Sequence, residues 1–201
     1  MLAEVSVEPA LVIATPGAEP VAAGGYAAAL LLDGWALLGR PSLRAAEETL
    51  RRWLNAAALV RPGAPVVVLA DAALPAVQAL IRWDPVTFSE REVAERAQLG
   101  FPPAVRMAAV TGPAPAVADF VGSAGLPERA EVLGPVLVET PAGRNGPESG
   151  PDSEPQERAL IRVPRSGGLE LARALHAAQA QRSARKEGAV VRVQLDPAEV
   201  A

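Results

Sequence analysis

The sequence contains no cysteine and one histidine, and these two gaps exclude several kinds of site. Without cysteine there are no disulfides, no thiolate ligands for zinc and no thiol nucleophile. His176 alone cannot supply a paired-histidine metal site, and its predicted mid-helix position shows no partner that would make it a general base. Ser123 and Ser166 lack the G-x-S-x-G context of a hydrolase nucleophile. We therefore predict neither a catalytic residue nor a metal ligand in this chain.

The sequence also lacks the phosphate-binding loop G-x-x-x-x-G-K-[S/T]. The pair Gly24-Gly25 is typical of a turn, not of a phosphate cradle. Aromatic residues make up only 3% of the chain and hydrophobic residues 50%, so the core must be built from Ala, Val and Leu. The length of 201 residues allows one large domain or two small ones.

Long apolar runs and a basic N-terminal region are absent, so the sequence predicts no membrane span and no signal peptide. We accordingly expect a cytoplasmic location and no membrane partner. The net charge is −4 and the isoelectric point is about 5.2, which excludes a global basic field that would draw the whole chain to nucleic acid. Any contact with nucleic acid must therefore be local.

The first half of the chain has the pattern of an α/β layer with parallel strands. The apolar run Ala27–Leu32 leaves helix and strand open. We predict a buried strand at Leu11–Ala14, a helix at Leu43–Leu59 capped by Ser42, a strand covered on both faces at Val66–Leu69, and a helix at Asp71–Arg82.

The second half has a different order of elements. A charged helix at Phe88–Leu99, with Thr87 or Ser89 as cap, ends at Gly100. The following segments predict the order β-α-β-β-α-β of a ferredoxin-like α+β domain. They are strands at 105–110, 130–138, 158–163 and 189–195, and helices at 114–122 and 169–186. Residues 140–156 are rich in Pro, Gly, Ser and acidic residues, which predicts a long, disordered hairpin insertion.

Basic residues concentrate towards the C-terminus and suggest a strip that could hold phosphates if they share one face. The candidates for DNA binding are Arg158, Arg162, Arg165, Arg173, Arg182, Arg185 and Lys186, with Arg192 following on the last strand. The alternative is that these are scattered surface residues neutralised by Glu157, Glu170 and Glu187.

Four stretches, in order, carry a resemblance to a known family. They are Leu30–Glu47 (L-L-L-D-x-x-A-L, then L-R-A-A-E), Phe88–Pro103 (F-S-E, A-E-R, then F-P-P), Leu133–Val136 (L-G-P-V) and Val193–Pro197 (V-Q-L-D-P). The chain from about residue 11 onwards resembles the C-terminal part of primosomal protein N-prime, the replication-restart helicase family, in its degenerate actinobacterial form. The resemblance implies a truncated RecA-like second helicase lobe with its exit helix at 1–99 and the ferredoxin-like domain at 100–201.

The departures from the family pattern concern the motor. Where active members have G-T-Q-M-x-x-K-G, this chain has Ala14–Pro20, and only Thr15 matches, as a degenerate nucleotide motif. Where they have the two arginines of Q-x-x-G-R-A-G-R, it has Trp53–Val60, which contains no arginine. An arginine at a transferring phosphate is worth roughly 10³–10⁵ in rate. We therefore predict that this chain neither hydrolyses ATP nor unwinds DNA.

The resemblance implies that the intact protein binds branched DNA at replication forks and works with primosome and replicative-helicase loading proteins. The family binds ATP and zinc through segments expected N-terminal to Met1, so no cofactor is expected in this chain. Alternatives are a protein-interaction module without DNA affinity and a small-molecule enzyme. We also expect half a helicase lobe to leave sheet edges and apolar faces uncovered.

Overall fold

The computed structural model describes residues 4–6, 8–138, 155–185 and 189–199. The chain divides into two compact units, Met1–Glu92 and Val93–Ala201. The sequence-based boundary after residue 99 stays a prediction. In the part of the chain that is described, no helix combines the length and hydropathy needed to cross a bilayer.

The first unit is a mixed α/β structure, in agreement with the predicted class. Its strands pair in parallel, β1 with β2 and β3 with β4, and Leu30 lies opposite Val67 in the second pair. The elements are β1 Glu4–Val5, β2 Val21–Ala22, β3 Ala29–Leu31, α1 Gly34–Leu38, α2 Ala45–Ala58, β4 Val66–Val68, α3 Pro75–Arg82 and the beginning of α4 Pro85–Leu99.

The core of the first unit forms where α2 and α3 pack on one face of the β3–β4 pair. Leu50 and Trp53 of α2 are 2% and 1% exposed, and Leu80 of α3 is 7% exposed. Leu31 and Phe88 belong to the same cluster. One large aromatic, Trp53, thus fills space that the many alanines of this segment leave.

Two predicted features of the first unit are wrong. Leu11–Ala14 is not a buried strand, since Leu11 and Ile13 are 86% and 91% exposed. This run lies in the connection between β1 and β2, which pair directly in parallel and so need a crossover segment between them. The strand at 66–69 is not covered on both faces either, since Val67 is 51% exposed and Leu69 63%.

Both predicted helix caps are replaced by other residues. Ser42 Oγ accepts a hydrogen bond from the Arg44 N–H at 3.2 Å, which forms a turn ahead of α2. α4 begins at Pro85, because Asp84 Oδ1 accepts a hydrogen bond from the Thr87 N–H at 3.0 Å and proline is suited to the first helical position. Neither Thr87 nor Ser89 is therefore the cap.

The second unit has the predicted order β-α-β-β-α-β. Its sheet order is β6-β7-β5-β8 with every neighbouring pair antiparallel, the arrangement of a ferredoxin-like split β-α-β unit. The elements are β5 Val105–Pro113, α5 Ala114–Ser123, β6 Glu131–Leu137, β7 Gln156–Pro164, a 3₁₀ turn Arg165–Gly167, α6 Gly168–Ala184 and β8 Arg192–Leu195. The predicted insertion at 140–156 lies outside the described residues, except for its last two positions, and Gln156 begins β7.

Strand alternation separates the two faces of this sheet. Val110 and Ile161 face α5 and α6 and are fully buried with Phe120, Leu171 and Leu175. Since successive side chains of a strand point to opposite faces, the neighbours of these strand residues lie on the other side. We call that side, away from α5 and α6, the outer face.

Candidate nucleic-acid interface

The outer face carries two of the predicted DNA-binding arginines, and β5 fixes their positions. Met107 lies opposite Arg162 and Thr111 lies opposite Arg158 in the antiparallel pairing of β5 with β7. Partners in such a pair share a face. The outer face therefore has an Arg162 end and an Arg158 end, and the surroundings of the two ends differ.

Arg162 is tied into the fold. Its Nη2 and Nε lie 2.7 and 2.8 Å from Oε2 of Glu131, and its Nη1 donates to the Leu99 carbonyl at 3.3 Å. The Arg162 side chain is 27% exposed and the neighbouring Met107 only 1%. The end of α4 thus lies over this part of the outer face, and much of the Arg162 charge is compensated by Glu131.

The Arg158 end is open. Thr111 lies opposite Arg158 on β7 and opposite Arg192 on β8, so the two arginines flank one threonine. Arg158 Nε donates to Thr111 Oγ1 at 3.4 Å, and Arg192 is exposed. With strands spaced by about 4.8 Å, the two arginine backbones are roughly 10 Å apart.

A groove of about 570 Å³ opens at this end. It is lined by Thr111, Pro113, Gln156, Ala189, Val190 and Arg192. None of these described lining residues is acidic. The threonine, glutamine and arginine side chains of this lining offer hydrogen-bond donors to an anion.

The remaining predicted arginines lie on or next to α6, and α6 packs on the side of the sheet away from Arg158. At 100° per residue, Arg173 falls about 200° around α6 from the core residue Leu171. Arg182 falls about 20° from Leu171, and its Nη2 donates to the Ala189 carbonyl at 3.0 Å. Arg165 lies in the 3₁₀ turn and Arg185 caps the end of α6.

The predicted strip is thus not one face. The structure brings Arg158 and Arg162 together on the outer face and separates them from Arg173, while Lys186 lies outside the described residues. A role for each of these residues in DNA binding stays a prediction.

Thr15 lies in a tight turn. The Ala18 N–H donates to the Thr15 carbonyl at 2.9 Å, and Gly17 has φ +89, as a type II turn requires. Arg52 of α2 donates from Nη1 to the Pro16 carbonyl at 3.0 Å. The backbone of the segment that resembles the nucleotide motif is therefore hydrogen-bonded to α2.

Two described carboxyl groups with lowered pKa values lie in the first unit. A hydrogen bond from Arg51 lowers the pKa of Glu48, and a hydrogen bond from the Thr87 backbone lowers the pKa of Asp84. The hydrogen bonds that cause these shifts lie within α2 and at the beginning of α4. Among the described residues no group of three His, Cys, Asp or Glu is placed to hold a metal ion, and His176 is exposed on α6.

The sequence did not predict that Thr111 and Gln156 line the groove. Neither residue type signals a site, and Thr111 is 47 residues away from Arg158 along the chain. Their position depends on strand pairing across the whole unit. The alternation of Arg158, Leu160 and Arg162 was the one available signal for the outer face.

Comparison with known proteins places these features in a family. The model of the primosomal protein N C-terminal domain matches residues 97–198. The chain is 52% identical over 197 residues to a probable replication restart protein PriA of Mycobacterium leprae, covering 96% of this chain and 30% of that protein. It is 51% identical over 199 residues to the protein of the same name from Mycobacterium tuberculosis, strain CDC 1551, with coverage of 94% and 30%. The chain spans about 30% of the length of these relatives.

Proposed function

We propose a role in replication restart for this chain, which belongs to the family of primosomal protein N, the replication restart protein PriA. In this role it binds DNA at forks and contributes to primosome assembly without acting as a helicase. The observation that carries the proposal is the family match over 97–198, a range that includes all of β5–β8.

The outer face of the second unit supports DNA binding by this chain. Its open end places Arg158 and Arg192 beside a groove whose described lining residues include no acid. Since the whole chain carries a net charge of −4, attraction of a polyanion depends on such a local cluster. Branched DNA and the proteins that load the replicative helicase are the proposed partners.

The first unit supports the view that the motor is inactive. We propose that it is the end of a RecA-like helicase lobe, since β3 and β4 pair in parallel under α2 and α3. The turn at Thr15 is bonded to Arg52, and Trp53–Val60 offers no arginine to a transferring phosphate. Without a fixed positive charge at that point, phosphoryl transfer loses its main electrostatic stabilisation.

The test is a pair of measurements on the purified chain. Fluorescence anisotropy should show binding to a forked DNA, with an affinity that falls steeply as salt rises from 50 to 200 mM, roughly the range in which counterion release dominates. ATP turnover should stay at the buffer level with and without that DNA. DNA-stimulated hydrolysis would contradict the inactive motor. Salt-independent binding to a primosome protein, without binding to DNA, would favour the protein-interaction module instead.

A further inference from the structure

We propose that Arg158, Thr111 and Arg192 form a binding site for the phosphodiester backbone of DNA at the open end of the outer face. This inference rests on the proposed DNA-binding function and names the residues that perform it. The three residues lie in one row across β7, β5 and β8.

The geometry of the row suits a polyanion. Arg158 Nε donates to Thr111 Oγ1 at 3.4 Å, which directs one guanidinium along the row, and exposed Arg192 lies on the other side of Thr111. Two guanidiniums on the strands that flank β5 can each donate to a separate phosphate, and charge-assisted bonds of this kind are stronger than neutral ones. The groove beside them gives the backbone of the ligand room to pass.

The composition of the strands decides what is recognised. None of β5, β6, β7 and β8 contains an aromatic residue, so these strands offer no platform on which bases could stack. Recognition must then come from phosphates, which carry no sequence information. We therefore expect binding that is independent of sequence, with Arg192 contributing most because Arg162 at the other end is already paired with Glu131.

The experiment compares single substitutions in the full chain. Arg192→Gln and Arg158→Gln each remove one positive charge from the row, and Thr111→Val removes the hydroxyl that positions Arg158. Arg173→Gln is the matched control, since it removes the same charge from the exposed side of α6. The probes are an unstructured oligo-dT strand, a hairpin duplex and a fork, each titrated at several salt concentrations. Poly-glutamate serves as a polyanion without phosphates.

We expect Arg192→Gln to weaken DNA binding roughly tenfold, as the loss of a charged hydrogen bond predicts. It should also lower the slope of log affinity against log salt by about 0.7 for the single strand or about 0.9 for the duplex. Arg173→Gln should change the affinity less than about twofold. The probe, oligo-dT or hairpin duplex, whose affinity falls more in Arg192→Gln identifies the DNA form that occupies the row.

Several outcomes would overturn the site. If wild type binds DNA and both row variants behave like Arg173→Gln, DNA binds elsewhere and only this inference fails. If poly-glutamate binds as tightly as DNA and is equally weakened by Arg192→Gln, the row recognises acidic chains in general. If wild type binds no DNA, the proposed function fails together with the site. Because Arg192 is exposed, its variant should keep the wild-type unfolding midpoint, even if Arg158→Gln destabilises the sheet.

Discussion

Two arginines of the outer face, Arg162 and Arg192, differ in the residues that surround their guanidinium groups. Arg162 is bonded to Glu131 and to the Leu99 carbonyl, so it fixes the end of α4 against the sheet. Arg192 is exposed and has Thr111 as its cross-strand neighbour. The same residue type therefore stabilises structure at one end of the sheet and, in the proposed site, offers its charge to DNA at the other.

We expect Asp84 to make the stability of the first unit depend on pH. Its carboxylate accepts the Thr87 N–H, and this bond holds the pKa of Asp84 below its ordinary value. A group with a lowered folded pKa contributes stability that is complete above the unfolded value, about 3.9 for Asp, and that is lost as the pH falls through the folded pKa. We expect Asp84→Asn, which keeps a capping side chain without an acid, to show a smaller loss of stability below about pH 4.

Urea unfolding between pH 2 and pH 7 would measure this effect. Asp84→Ala provides the matched comparison, because it removes the cap at every pH and should be less stable than Asp84→Asn at neutral pH. If the free energy of unfolding falls equally at low pH in wild type and in Asp84→Asn, the carboxylate of Asp84 is not the titrating group.

At the scale of elements, the β3–β4 pair exposes an apolar face, as the sequence led us to expect. Leu30 and Val67, opposite one another, are 61% and 51% exposed, whereas Leu31 is 9% exposed. We expect the double change Leu30→Thr and Val67→Thr to reduce fluorescence of the hydrophobic dye ANS with little effect on the unfolding midpoint, because threonine keeps the strand propensity. Leu31→Ala, the control in the same strand, should cost about 2–5 kcal/mol. A large loss of stability in the double variant would mean that this face is packed in solution.

Periodicity predicted the elements of the second unit well. Alternation along β7 and the long helix α6 placed both within a few residues of their observed limits, because each has one buried and one exposed side. Apolar runs were less informative. Leu11–Ala14 and β4 have similar composition, yet the first is an exposed connection and the second has one covered face, since a run of apolar residues does not reveal what packs against it.

The candidate site was only partly predictable. The spacing of Arg158 and Arg162 on one strand places both on one face, and the structure agrees. The sequence could not place Arg192 near Arg158, because the two residues are neighbours of the same residue, Thr111. This arrangement depends on the pairing of β5 with two different strands. Nor could it separate the α6 arginines from the outer face, since the side of the sheet on which a helix packs is a tertiary property.

At the scale of the whole molecule, the described residues form two hydrophobic clusters that share no residue. One includes Leu50 and Trp53 and lies within residues 31–88, and the other includes Leu175 and lies within residues 108–193. Each is built from residues of a single compact unit. A change that opens one cluster therefore removes packing among residues of one unit.

Hydrogen exchange of two core variants would test whether the units are stabilised separately. Leu50 and Leu175 are both 2% exposed, so truncation of either to alanine should cost about 2–5 kcal/mol. We expect Leu50→Ala to lower amide protection in α2 and α3 and to leave β5 and β7 at wild-type levels, because the cavity lies in the first cluster. Leu175→Ala should produce the reverse pattern. Loss of protection throughout the chain in both variants would show that the two cores unfold as one cooperative unit.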